Sequence, residues 1–215
     1  FAGYYVAYDK GFYDEAGVKV DIQHPSVSYS AFNLLWEGSS DIITLQLVQA
    51  MIEIDRGVSL VNVFQTSQQN GLMLVSRYDS LRTLDDFKGK KVGIWKTGFG
   101  ELAYMMDVDK EMNIQWIPFL QGMNIYVSGA VDATLAMSYS EYLQIKVSGH
   151  ENKPYIRLSD TEYDFPEDGV YVTAEFYRKN TDKVDAFVQA SRKGWEWAHE
   201  HPEEALDIVM KWAEK

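Results

Sequence analysis

Apolar and polar positions alternate along this chain with two different periods, and the switching between them outlines its elements. Phe1 to Tyr13 sets tyrosines and small residues at helical spacing and closes at Gly11, and after the Gly17 turn Val18 to Ile22 alternates with the period of a strand. Ser30 to Gly38 reads as an amphipathic helix carrying Phe32, Leu34, Leu35 and Trp36, and Ser40 to Thr44 as a buried strand. Gln46 to Gly57 is expected to be a helix closed by glycine, and Val58 to Gln65 a further strand. The strand Leu72 to Ser76, a short amphipathic turn at Thr83 to Lys88, the strand Lys91 to Trp95 and a helix over Leu102 to Asp109 repeat the rhythm. Beyond them come a buried strand after Asp132, the strand Tyr155 to Leu158, an acidic loop from Ser159 to Asp168 and the strand Gly169 to Thr173. A helical tail ends the chain: it starts at Ala174, runs over Lys183 to His199 with Val184, Phe187, Val188, Ser191 and Trp195 on one face, and finishes with Pro202 to Trp212. Trp195, Trp197 and Trp212 are expected in the core.

Strands alternating with helices predict an α/β fold of layered, doubly wound sheets. The two βα series bracket two points of crossing, near Gln68 to Asn70 and Asp168 to Val170. The expected division is therefore 1–68 plus 170–215 as a first lobe and 69–169 as a second, joined by two hinge-like strands.

Composition changes this picture only by exclusion. The 215 residues, 46% hydrophobic, suffice for one large domain or two lobes with packed cores. A net charge of -12 argues against nucleic acid, because neutralising phosphates needs clustered Lys and Arg. With no cysteine there is no disulfide, thiolate metal site or thiol nucleophile, and no apolar stretch is long enough to span a bilayer.

Candidate chemistry sits where strands pass into helices. Gly98 and Gly100, between a strand and a helix start, would let a ligand approach free backbone N–H groups, although an ordinary βα turn needs glycine equally. This is no Walker A loop, since the Lys-Ser/Thr after the last glycine is missing. Glu101, at that helix start, could accept N–H groups from an amino-substituted ring or simply compensate the helix dipole. Asp132 is expected to order its turn. Glu141, after the Ser138-Tyr139-Ser140 passage from strand to helix, reads from the residues as a first-turn helix carboxylate. The four histidines show no metal-ligand spacing, Asp85-Asp86 reads as a solvated helix start, and no cofactor or metal is implied.

Several of these runs are also words of a known family. Phe1 to Tyr13 with Glu15 to Ile22, Thr83 to Ile94, Val127 to Ala133, Glu175 to Val184 and His201 to Ala205 together resemble the NMT1/THI5-like (SsuA/ThiY-type) periplasmic solute-binding proteins of ABC transporters. The resemblance implies a two-lobed periplasmic-binding-protein-like fold of type II with the ligand between the lobes, and ligands such as thiamin-precursor pyrimidines, aromatics or sulfonates. Members carry a strand and a Trp-Pro segment before the first of these runs, so a first strand and part of the pocket are expected to lie outside this sequence. Tyr4, Tyr5, Gln46 and Gln68 are placed at the cleft from the first lobe and hinge, and Phe99, Glu101, Asn124, Tyr139 and Glu141 from the second. Relatives often have an Asn-Glu pair where this chain has Ser140-Glu141, which carries over the carboxylate and leaves the amide role open.

Three functions follow from the resemblance. The first is a periplasmic or extracytoplasmic binding protein, lipid-anchored in its full-length form, that delivers a small heterocycle to an ABC permease. The second is the sensing domain of a membrane receptor such as a sensor kinase. The third is an enzyme akin to eukaryotic pyrimidine synthases, but those carry a Lys, a His and a cysteine-rich segment where this chain has Leu45, Gln49 and no cysteine.

Overall fold

The computed structural model describes residues 1–24, 30–96, 100–120 and 122–213. In chain order its elements are α1 (Ala2–Asp9), α2 (Phe12–Glu15), α3 (Ala31–Trp36), β1 (Ile43–Gln46), α4 (Leu47–Asp55), β2 (Leu60–Gln65), β3 (Leu72–Ser76), β4 (Lys91–Trp95), α5 (Glu101–Asp109), β5 (Gln115–Phe119), α6 (Asn124–Val127), β6 (Ala133–Met137), α7 (Glu141–Ile145), β7 (Tyr155–Arg157), β8 (Asp168–Thr173), α8 (Ala174–Glu200) and α9 (Pro202–Ala213). They form two compact units. One comprises Phe1–Leu45, Glu53–Gln65 and Gly169–Lys215, the other Gln46–Ile52 and Thr66–Asp168. No helix among the described residues is long and apolar enough to cross a membrane.

The first unit is built on α8, whose start is fixed by the Thr173 hydroxyl accepting the Phe176 N–H at 3.1 Å. Helix α1 lies along it with Val6 and Ala7 fully buried. The two backbones meet closely, since a methyl group on Gly194 would stand 2.1 Å from the Gly3 carbonyl oxygen. Gly11, at φ 75°, takes the left-handed conformation that ends α1 and starts α2, which brings Tyr13 onto Phe187 in a stack with centroids 5.2 Å apart. The Tyr13 hydroxyl hydrogen-bonds Ser191 at 3.0 Å, and burial pushes its pKa up to about 12. Trp197 and Trp212 are half-buried against Val6, Ala205 and Ile208. A three-stranded sheet, ordered β1-β8-β2 with β2 and β8 antiparallel, completes this unit.

The second unit holds a five-stranded mixed sheet ordered β5-β4-β6-β3-β7. Strand β4 pairs in parallel with β5 and β6, whereas β3 is antiparallel to both β6 and β7. All five residues of β3 and all five of β6 are buried. Alternate side chains serve opposite faces: Leu72, Leu74, Leu135 and Met137 pack with Phe87, Ile94 and Met106, while Met73, Val75 and Ala136 pack with Tyr126, Tyr142 and Ile145. Covered on both sides, these strands read as continuous apolar runs.

One expectation changes and one strand is new. Val18 to Ile22 forms no strand and, among the described residues, joins neither sheet. Conversely β5 forms around Pro118, which an interior strand would reject. It survives because β5 is an edge, where a missing N–H costs no ladder bond. Of the expected elements the short turn at Thr83 also forms, held by a capping box in which the Asp86 carboxylate accepts the Thr83 N–H at 2.8 Å.

Candidate functional site

Three strand ends converge in the second unit. Parallel β4 and β6 end at Trp95 and Met137, and antiparallel β3 begins beside Met137, with Leu72 opposite it in register. Helices α5 and α7 start just beyond those ends, which is where open α/β sheets place their ligands. A crevice opens there, walled by Leu47, Val48, Leu72, Leu102, Met137, Phe165 and Pro166. Its polar groups are Gln46, Asn70, Glu101 and Glu167, and among its described lining residues there is no Lys or Arg.

Of the residues singled out in the sequence, the crevice brings Gln46 and Glu101 together. Gln46 ends β1, and Glu101 opens α5 behind Gly100. Among the described residues the Glu101 carboxylate makes no hydrogen bond or ion pair, so its acceptor capacity is unspent. Glu141 differs. Its Oε2 accepts the Met137 N–H at 3.1 Å, closing the passage from β6 into α7. Tyr139, in that same passage, is 59% exposed through its ring, while its hydroxyl donates to Glu167 Oε1 at 2.6 Å. Burial of the hydroxyl end, then that hydrogen bond and the Glu167 charge, raise the Tyr139 phenol well above its ordinary range.

The remaining candidates stand elsewhere. Gln68 and Asn124 are exposed and do not line the crevice, and Phe99, like Gly98, lies outside the described residues. In the first unit Tyr4 is a core residue, 8% exposed with its ring edge-on to Trp195 at 5.7 Å; helix packing has taken the surface that a solute would need. Tyr5 stacks on Trp212 at 5.1 Å and shares a 2.9 Å hydrogen bond with His24. Asp132 accepts the Lys91 N–H at 2.9 Å, which ties the turn before β6 to the start of β4 rather than closing its own turn. No group of three or more acidic or histidine side chains among the described residues could hold a metal ion.

Sequence reasoning passed over Glu167, Asn70 and Phe165. Glu167 is 6% exposed, and its second oxygen accepts the Gly71 N–H at 2.8 Å. Asn70 folds back to accept the Leu72 N–H at 2.7 Å. The one signal was the acidic loop Ser159 to Asp168, in which nothing marked Glu167 from its neighbours. Asp168 beside it is raised to about 6 by burial and then by the Glu167 charge.

Comparison with known proteins gives this arrangement its class. The periplasmic aliphatic sulphonate binding protein SsuA of Escherichia coli superposes with a TM-score of 0.75 at 15% identity, over 97% of this chain and 74% of its own. The fold is thus that of the periplasmic binding proteins. The NMT1/THI5-like family model matches residues 1–205, and the chain belongs to that family. Among curated relatives, a formylaminopyrimidine-binding protein of Halalkalibacterium halodurans is 27% identical over 96% of this chain and 64% of its own length. The riboflavin-binding protein RibY of Chloroflexus aurantiacus is 22% identical over 98% of this chain and 62% of its own. The chain therefore spans under two thirds of the length of these relatives.

Proposed function

We propose that this chain is the solute-capturing part of an extracytoplasmic binding protein that takes up a small ring-bearing solute with amino or cationic donors and hands it to an ABC importer. The observation that carries the reading is the unspent Glu101 carboxylate, set with the Gln46 amide in a crevice whose other acidic side chain, Glu167, already accepts hydrogen bonds on both oxygens. A carboxylate there rewards a donor N–H, and a charge-assisted hydrogen bond of that kind contributes about 1.5–3 kcal/mol. Apolar walls suit a flat ring. An anionic solute would meet acceptors and no cation among the described lining residues, which disfavours a sulfonate despite the shared fold. The two curated relatives support the choice, since the solutes in their names, a formylaminopyrimidine and riboflavin, are nitrogen heterocycles.

Thermal melts with thiamin, free aminopyrimidines, riboflavin and ethanesulfonate test the proposal. A bound solute at a hundred times its Kd raises stability by about 2.7 kcal/mol. Stabilisation by ethanesulfonate, with no response to any of the heterocycles, would overturn it.

A further inference from the structure

Glu167 lies in the loop before β8, yet its carboxylate is among the few buried charged groups described in this molecule. Both of its oxygens are engaged at once, Oε1 by the Tyr139 hydroxyl at 2.6 Å and Oε2 by the Gly71 N–H at 2.8 Å. Neither partner belongs to its own loop. The backbone on either side is tied as well, with the Glu167 N–H on the Ser67 carbonyl at 3.1 Å and the Leu47 N–H on the Glu167 carbonyl at 2.8 Å. Gly71 lies directly beneath the phenol: a methyl group on it would stand 2.8 Å from Tyr139 Cε1 and 2.9 Å from Glu167 Oε2. Tyr139 is thus held at its hydroxyl and along one edge while more than half of its surface faces outward. Glu167 itself lines the crevice, so the group that holds the Tyr139 hydroxyl is a crevice residue.

A buried carboxylate costs free energy unless it is hydrogen-bonded, and this one spends one oxygen on the Gly71 backbone and the other on the orientation of another side chain. An exposed tyrosine otherwise swings among rotamers, and immobilising such a side chain on binding weakens affinity by roughly two- to tenfold. From this geometry we infer that Glu167 is a positioning residue for solute binding: it ties the Tyr139 phenol across Gly71 so that the ring forms a fixed wall on which a planar heterocycle stacks. The inference rests on the solute-binding reading above, and it gives a crevice-lining residue a role exerted through another side chain.

The test has two arms. In the first, without solute, the Tyr139 ring is followed by NMR on ring-labelled tyrosine, its signal assigned by its loss in Tyr139→Phe. Glu167→Gln is expected to shift that signal and loosen the ring, and an unchanged signal would overturn the tie. In the second, thiamin and riboflavin are titrated against the wild type, Tyr139→Phe, Glu167→Gln and the double variant. Each single change is expected to weaken binding about tenfold, with the double variant no weaker than either, because both release the same ring. Multiplying losses, or full affinity in Tyr139→Phe, would reduce Glu167 to a loop anchor. Should neither probe bind the wild type, the solute-binding reading falls for these heterocycles and the positioning role falls with it, while the first arm still decides whether the tie exists. Tyr139→Phe changes one atom at an exposed ring, so the cycle retains a folded member even if Glu167→Gln unfolds.

Discussion

Replacing Gly194 by alanine sets two principles against each other, and the structure says which wins. Gly194 lies inside α8, where alanine is favoured over glycine by about 0.8–1 kcal/mol, so helix propensity alone predicts stabilisation. The added methyl group would stand 2.1 Å from the Gly3 carbonyl oxygen and 2.7 Å from Ala7 Cβ. The first of these is backbone of another helix and cannot rotate away. Restoring an ordinary contact needs α1 to back off by about 1 Å, which forfeits a quarter to a half of the dispersion energy of each atom pair along the seam. Val6 and Ala7, fully buried there, would lose their close neighbours. Overpacking of this kind costs about 1–3 kcal/mol or more. A contact on a helix backbone belongs at the upper end, leaving a net loss of about 2 kcal/mol after the propensity gain. For a chain of this length that lowers Tm by roughly 4–8 °C. Circular-dichroism melts of the wild type and Gly194→Ala decide the matter, and a variant melting at or above the wild type would show that the α1–α8 approach is looser than described.

Other consequences concern the site and its charges. Glu101→Gln should weaken binding of an amino-bearing solute about ten- to hundredfold by calorimetric titration with the fold unchanged in a denaturant melt, because its carboxylate makes no hydrogen bond among the described residues. Glu141→Gln should instead lower stability by a few tenths to about 1 kcal/mol, because the carboxylate that accepts the Met137 N–H becomes neutral. Asp168, raised to about 6 from an ordinary 3.8, binds its proton more tightly folded than unfolded, so its contribution to stability falls as pH rises from about 4 through 6. Asp168→Asn should accordingly stabilise the protein at pH 8, by about 1 kcal/mol once solvent screening of a partly exposed group is allowed for, and the gain should vanish near pH 4. Tyr126→Phe should cost about 1–2 kcal/mol in a urea melt, since the fully buried phenol donates at 2.7 Å to the Ser76 carbonyl.

What the sequence determined by itself is whatever local periodicity and local chemistry encode. Leu72 to Ser76 and Lys91 to Trp95 are strands with the expected bounds because burial on both faces demands a run of apolar residues, Leu72 to Val75 in the first and Val92 to Ile94 in the second, a signal contained in a few residues. The short Thr83 turn and the Gly11 closure were legible for the same reason, each being a hydrogen bond or backbone angle set within the motif. Tertiary structure decided what depends on a distant partner. Val18 to Ile22 has the alternation of a strand, but a ladder requires a neighbour, and among the described residues it joins neither sheet. Pro118 is tolerable only because β5 is an edge, a property of strand order rather than of sequence. Tyr4 and Tyr139 look alike as letters, yet one is buried against Trp195 and the other stands exposed with its hydroxyl on Glu167. Glu167 itself could not be picked from an acidic loop, because its place follows from a phenol 28 residues and an amide 96 residues away along the chain. A carboxylate's role depends on which donors reach it, and folding sets those distances.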